Sequence, residues 1–180
     1  MARDRTAWAD EMRLGLRGQV RRVWAPRGVK VRQRVELRYE WRYLALAVDG
    51  PAGELWWTWL PNMRKESVAP GVRAWQAAGL AALVWDGAPS HRAALVREVG
   101  VKLITQPPAS PEVSPAERLF EELRRAVEGR VYDHLEAKVA AVERELASLA
   151  ADPARVQRVA GWTWVRDALR QRLPRYTAES

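Results

Sequence analysis

Residues 35–60 constrain the fold more than any other stretch of this 180-residue chain. Val35, Leu37, Tyr39, Trp41 and Tyr43 alternate with Glu36, Arg38, Glu40 and Arg42, and a period of two predicts a half-buried strand. The run continues as Tyr43-Leu-Ala-Leu-Ala-Val48 without a polar residue, the pattern of a strand whose sheet is covered on both faces. Asp49-Gly50-Pro51-Ala52-Gly53 then breaks it, and Glu54-Leu-Trp-Trp-Thr-Trp-Leu60 reads as the returning strand of a hairpin.

The chain after the hairpin changes in kind. Residues 64–79 carry a looser helical pattern interrupted by Pro70-Gly71. Ala81-Ala-Leu-Val-Trp85 is a short apolar run ending in Asp86, followed by a helical stretch from His91 through Val99 and a second short run, Val101-Lys-Leu-Ile104. Strand, helix and strand with short joins predict a βαβ unit and a partly parallel sheet. Leu119, Phe120, Leu123 and Val127 mark one face of a helix, and Leu135, Val139, Val142, Leu146 and Leu149 mark another. Asp152-Pro153 reads as a helix start, and Trp162 and Trp164 open a last short helix. The expectation is one α/β domain over residues 1–180, in which 131–180 form a helical C-terminal part.

Composition narrows the function. With no cysteine, a disulfide scaffold, a thiolate zinc site and a cysteine nucleophile are excluded. No apolar stretch approaches the roughly 20 residues that span a bilayer, and the N-terminal Met1-Ala-Arg-Asp-Arg leads into no signal-peptide core, so no membrane partner and a cytoplasmic location are expected. The formal charge is +8, and residues 1–42 hold twelve Lys/Arg against five Asp/Glu, a net of +7. Trp8, Trp24, Tyr39 and Trp41 are interleaved with those basic residues, so the segment is read as folded and a polyanion is the natural partner. The ten tryptophans are assigned mostly to the core, with Trp8 alone near a site.

Three acidic residues stand out by position. Asp86 follows an apolar strand, where open α/β sheets place their sites, although Asp86-Gly87 also reads as a plain turn. Glu117, in Ser114-Pro115-Ala116-Glu117, has the spacing of a capping box with proline at the first helical position. A helix start also fixes a side chain in space, so both roles stay open. Asp10, in Trp8-Ala-Asp-Glu-Met-Arg-Leu14, is by pattern only an acid near a short, polar strand that has Arg3, Asp4 and Arg5 at its head.

Taken in order, these segments resemble the DDE-type transposases of bacterial insertion sequences related to mariner elements. Trp8-Ala-Asp10-Glu-Met-Arg-Leu-Gly-Leu16 is similar to the family's opening Asp-Glu strand. Val23-Trp-Ala-Pro-Arg-Gly28 and Tyr39-Glu-Trp-Arg-Tyr-Leu44 follow, with Trp24 and Trp41 as framework positions. Val84-Trp-Asp86-Gly-Ala-Pro-Ser-His91 looks like the second motif. The stretch Pro107-Pro-Ala-Ser-Pro-Glu-Val-Ser-Pro-Ala-Glu117-Arg looks like the third, where the family has Asn-Pro. Thirty residues separate Asp86 from Glu117, close to the family's gap.

The resemblance implies an RNase H-like mixed sheet flanked by helices, with extra C-terminal helices. It implies Asp10, Asp86 and Glu117 as catalytic residues holding two Mg²⁺ or Mn²⁺ ions, which take hard carboxylate oxygens. Glu11 and His91 become near-site residues, His91 matching a histidine of the second motif; a plain helix-start role for it stays open. Asp49, which also follows an apolar strand, is taken as a turn residue because the chain doubles back there. Arg13, Arg17, Arg21, Arg22, Arg27 and Lys30 become contacts to the phosphates of transposon-end and target DNA, largely sequence-independent and salt-sensitive. Pairing of two ends would be met by a homodimer, and nucleoid association follows from the substrate. The residues before Asp10 are too few for a helix-turn-helix, so DNA recognition is expected from a separately encoded region. Two readings follow: metal-dependent cleavage at transposon ends with strand transfer, or a catalytically silent remnant that binds DNA or a partner.

Overall fold

The computed structural model describes residues 5–18, 24–32, 34–106 and 114–171. Five strands form one sheet: β1 (Arg5–Gly15), β2 (Trp41–Asp49), β3 (Glu54–Leu60), β4 (Leu80–Trp85) and β5 (Lys102–Thr105). Their order across the sheet is β3-β2-β1-β4-β5. β1 pairs antiparallel with β2 and parallel with β4, and β4 pairs parallel with β5. The sheet is therefore mixed, with β1 at its centre. The helices are α1 (Lys65–Ala77), α2 (Ala94–Arg97), α3 (Pro115–Val127), α4 (Leu135–Ala150), α5 (Pro153–Ala160) and α6 (Thr163–Gln171).

The two faces of the sheet are written in different residues. Alternation sends Ala7 and Ala9 of β1 and Ala45 and Ala47 of β2 to one face, where they meet Val68, Ala69, Val72 and Trp75 of α1. Small side chains there let the helix approach closely, and at Gly71 an added Cβ would lie 2.5 Å from Thr58. The opposite face carries Trp8, Met12, Leu14, Leu44, Leu46 and Val48, which pack on Ala116, Leu119, Phe120 and Leu123 of α3 and on α4, α5 and α6. Buried Lys138 of α4 closes the far end of β1: its Nζ donates to the Gly15 carbonyl at 2.8 Å and pairs with Glu128 at 2.8 Å.

Several sequence expectations are corrected. The strand bearing Asp10 is not short: it is the longest in the sheet, at eleven residues, because hydrogen-bonded neighbours on both edges offset its polar composition. The strand expected to begin at Val35 begins at Trp41. Val35, Leu37 and Tyr39 are 38%, 64% and 74% exposed, and the Glu36 carboxylate accepts the backbone N–H groups of Leu37 and Arg38 at 2.9 and 3.1 Å. A side chain that takes the backbone donors competes with a ladder. Helix α1 passes through Pro70 without interruption; its ring faces solvent, while Val68, Ala69, Val72 and Trp75 are buried. The helix expected through Val99 is the single turn of α2. Of the tryptophans, Trp8, Trp56, Trp75 and Trp85 are buried, whereas Trp24 and Trp41 are exposed.

Candidate active site

Asp10 and Asp86 are brought level by strand register. Trp8 pairs with Val84 in the parallel β1–β4 ladder, so two residues on, Asp10 stands beside Asp86, the first residue after β4. Neighbouring strands lie about 4.8 Å apart. Asp10 shares the α3 face of β1 with Trp8 and Met12. Asp49 is at the other end of β2, one residue past the Trp8–Val48 pair. Its Oδ1 accepts the Ala52 N–H at 2.9 Å, the geometry of a turn residue.

Glu117 comes from the first turn of α3, whose first residue is Pro115. The capping box is not made: Ser114 gives no side-chain capping bond, and its buried Oγ has no hydrogen-bond partner. The Glu117 carboxylate instead lies 3.7 Å from Arg124 and is 38% exposed. The rest of the third motif, residues 107–113, lies outside the described residues.

The electrostatics tie these groups together. Burial pushes the Asp10 carboxyl up to about 6; the Glu11 N–H, donating to Oδ1 at 2.8 Å, opposes this, and the negative charges of Glu11, Glu117 and Asp86 add to it. A carboxylate held up by three like charges and by burial suits a cation. Hard oxygen donors are also the set that Mg²⁺ or Mn²⁺ takes. The side chains are not drawn into a cage, however. Among the described residues no three Asp, Glu or His side chains stand close enough to hold an ion. The residues fit a divalent metal in kind, with side-chain rotation still needed to enclose it.

His91 is the most constrained polar residue of the site and is 2% exposed. Its Nδ1 lies 2.6 Å from Oδ1 of Asp86, and its Nε2 lies 3.1 Å from Oε1 of Glu11. The second contact has ion-pair length without an aligned N–H, so both atoms are buried with no hydrogen bond of good geometry. The ring stacks on Trp85, with centroids 3.8 Å apart and planes 16° apart. Burial disfavours the charged imidazole, but Glu11 and Asp86 outweigh it and raise the His91 pKa above its ordinary value. Trp85 is thus a second tryptophan at the site besides Trp8. Its position directly before Asp86 was the signal, masked by its place at the end of an apolar run.

The basic residues divide into three groups. Arg13 lies over the Trp41 ring at 5.6 Å, and Arg17 over the Tyr39 ring at 5.1 Å, where it also donates to the Tyr39 hydroxyl. Arg27 and Lys30 are exposed in a segment without regular structure. Arg21 and Arg22 lie outside the described residues. Arg38 pairs with Glu36 at 3.1 Å and Arg42 with Glu136 at 3.0 Å. No described helix is long and apolar enough to cross a membrane.

The sequence profile of a family described as DDE superfamily endonuclease matches residues 5–137. No curated protein matches the chain. Among solved structures, the Mos1 transposase paired-end complex with left transposon end superposes with a TM-score of 0.63 at 18% identity, over 88% of this chain and 52% of that one. The catalytic domain of Mos1 mariner transposase gives 0.56 at 15% identity, over 88% and 76%. The catalytic core domain of BIV integrase gives 0.51 at 14%, over 77% and 80%. At these identities the likeness is one of fold: a mixed sheet flanked by helices, RNase H-like. The chain spans about half the length of the Mos1 chain in the paired-end complex.

Proposed function

The chain belongs to the DDE superfamily endonucleases, and on that premise we propose that it is a transposase catalytic domain. In this reading it cleaves DNA strands at transposon ends and transfers them into target DNA. The observation that carries the reading is the level placement of Asp10 and Asp86 on neighbouring parallel strands, with Glu117 near enough to add to the charge felt by Asp10. Titles among the similar structures name Mos1 complexes with Mn and with Mg, which supports a divalent cofactor.

Asp10, Asp86 and Glu117 are the proposed ligands of two such ions. When bound, the ions would activate the attacking oxygen and stabilise the leaving oxygen of an in-line displacement at phosphorus. Asp10 contributes a carboxylate fixed on a central strand, with one oxygen held by the Glu11 N–H. Asp86 stands at the rim with its side chain 59% exposed, open to the scissile phosphate. Glu117 would leave Arg124 and turn inward. Arg27 and Lys30 are proposed to meet flanking phosphates, where contacts give affinity rather than sequence choice. Residues 1–180 are taken as one domain, and pairing of two DNA ends is assigned to a homodimer.

The test is Mg²⁺- or Mn²⁺-dependent nicking of DNA by the wild type and by Asp86→Asn, which keeps the shape and removes the charge. Nicking by the wild type, lost at least a thousandfold in the variant, supports the reading. Equal nicking by both, or none by either, overturns it. The open arrangement of the carboxylates favours a second reading, a DNA- or partner-binding domain without catalysis. Retained DNA binding with no nicking would select it.

A further inference from the structure

Asp10 and Glu11 are consecutive on a strand, so they leave β1 on opposite faces. Asp10 goes to the α3 side and Glu11 to the side lined by Ala7, Ala9 and α1. A carboxylate on that alanine-rich face, 8% exposed at its side chain, is costly unless something polar meets it. His91 does, with Nε2 3.1 Å from Glu11 and Nδ1 2.6 Å from Asp86. The ring cannot swing away, because it is buried and stacked on Trp85. Both bonds to Asp86 fall on the same oxygen: Oδ1 takes His91 Nδ1 and the Ala88 N–H at 3.0 Å.

We propose that Glu11 and His91 are positioning residues for Asp86: anchored on the reverse face of β1, they fix its Oδ1 and turn its Oδ2 toward a divalent cation. The inference rests on the metal-dependent reading of this site. β1 then supplies one ligand from its front face and, through Glu11 and His91, the orientation of a second from its back face. Metal ligands held in this way by a further hydrogen-bonded group lose about 10–100-fold in metal affinity or activity when that group is removed.

Two measurements test it. In the metal-free protein, the ¹⁵N shift of His91 Nδ1 should move in Asp86→Asn and in Glu11→Gln; no movement in either overturns the chain of contacts. In the second, Mn²⁺ binding to the folded chain without DNA is followed by titration calorimetry. His91→Phe keeps a ring for the Trp85 stack and should weaken Mn²⁺ binding by about 10–100-fold, and Glu11→Gln by about 10-fold. The double variant should bind no more weakly than His91→Phe, since Glu11 acts through the imidazole. A purely structural role would lower the melting temperature of both variants and leave Mn²⁺ affinity unchanged, which overturns the proposal, as does an additive loss in the double variant. If the wild type fails to nick DNA while its His91 shift and Mn²⁺ affinity respond as stated, the nuclease reading falls and the positioning role stands.

Discussion

Strand β1 and the segment 24–40 are neighbours in sequence and opposites in structure. β1 reads Arg-Thr-Ala-Trp-Ala-Asp-Glu-Met-Arg-Leu-Gly, with four charged residues in eleven, yet it is the central strand. Residues 35–39 alternate apolar and charged, yet Leu37 and Tyr39 stand in solvent. The difference lies in partners. β1 has β2 on one edge and β4 on the other, whereas Glu36 occupies the backbone donors of Leu37 and Arg38. Pattern proposes a face, and only a neighbour buries it. The polar residues of β1 are tolerated because they sit where β4 has ended, which is also where a phosphate could enter.

The comparison breaks first at the far end of β1. Lys138 is fully buried and binds both the Gly15 carbonyl and Glu128. Lys138→Ala should cost about 3–5 kcal/mol, the range for removing one member of a buried ion pair, read as a shift in the urea midpoint. A loss under about 1 kcal/mol would mean that β1 is held by its ladders alone. Met12, 2% exposed between α3 and the sheet, tests the ladder's middle. Met12→Ala should cost about 3 kcal/mol, within the span for buried Met to Ala. If it is neutral, the burial of β1 is not what stabilises the sheet.

How much of this was legible in the sequence follows the same division. The hairpin β2–β3, the βαβ unit β4–α2–β5 and the stripe of α3 were legible because they depend on local period and turn residues. The centrality of β1 was not, since its neighbours β2 and β4 are contributed by residues 41–49 and 80–85. The carboxylate set was legible through the spacing of the motifs. The contact of His91 with Glu11 was not, because it crosses from one strand to the loop after another and only the register brings them together. The Ser114 cap was legible and absent, since local spacing states what a helix start can do and not which bond its side chain makes.

Asp10 gives the next smaller effect, and it has a sign. Its carboxyl is raised from 3.8 to about 6 in the folded chain, so between about pH 4 and 6 the folded state holds more protons than the unfolded one. Stability therefore falls as pH rises through that window, and the full cost, about 2–3 kcal/mol, is present above it. Asp10→Asn should remove the slope and melt at a higher temperature than wild type at pH 8, while Mg²⁺ should raise the wild-type melting temperature and leave the variant unmoved. A variant that melts lower at pH 8 would show that Asp10 is stabilised where it sits, and the case for a cation there would lose its electrostatic basis.

The exposed segment sets the lower bound of the comparison. Leu37 is 64% exposed, and substitutions at such surface positions usually stay within about 0.5 kcal/mol, so Leu37→Ser should leave the urea midpoint almost unchanged. Arg27 and Lys30 lie in the same exposed stretch, and their removal should likewise spare the fold. Their effect belongs to binding. Each phosphate neutralised contributes about 0.9 to the slope of log K against log salt on duplex DNA, so Arg27→Ala with Lys30→Ala should flatten that slope by about 1.8. An unchanged slope with an unchanged fold would remove these two residues from the DNA surface. A changed slope with a lowered midpoint would show that the segment packs against the protein after all, and the contrast with β1 would be one of degree.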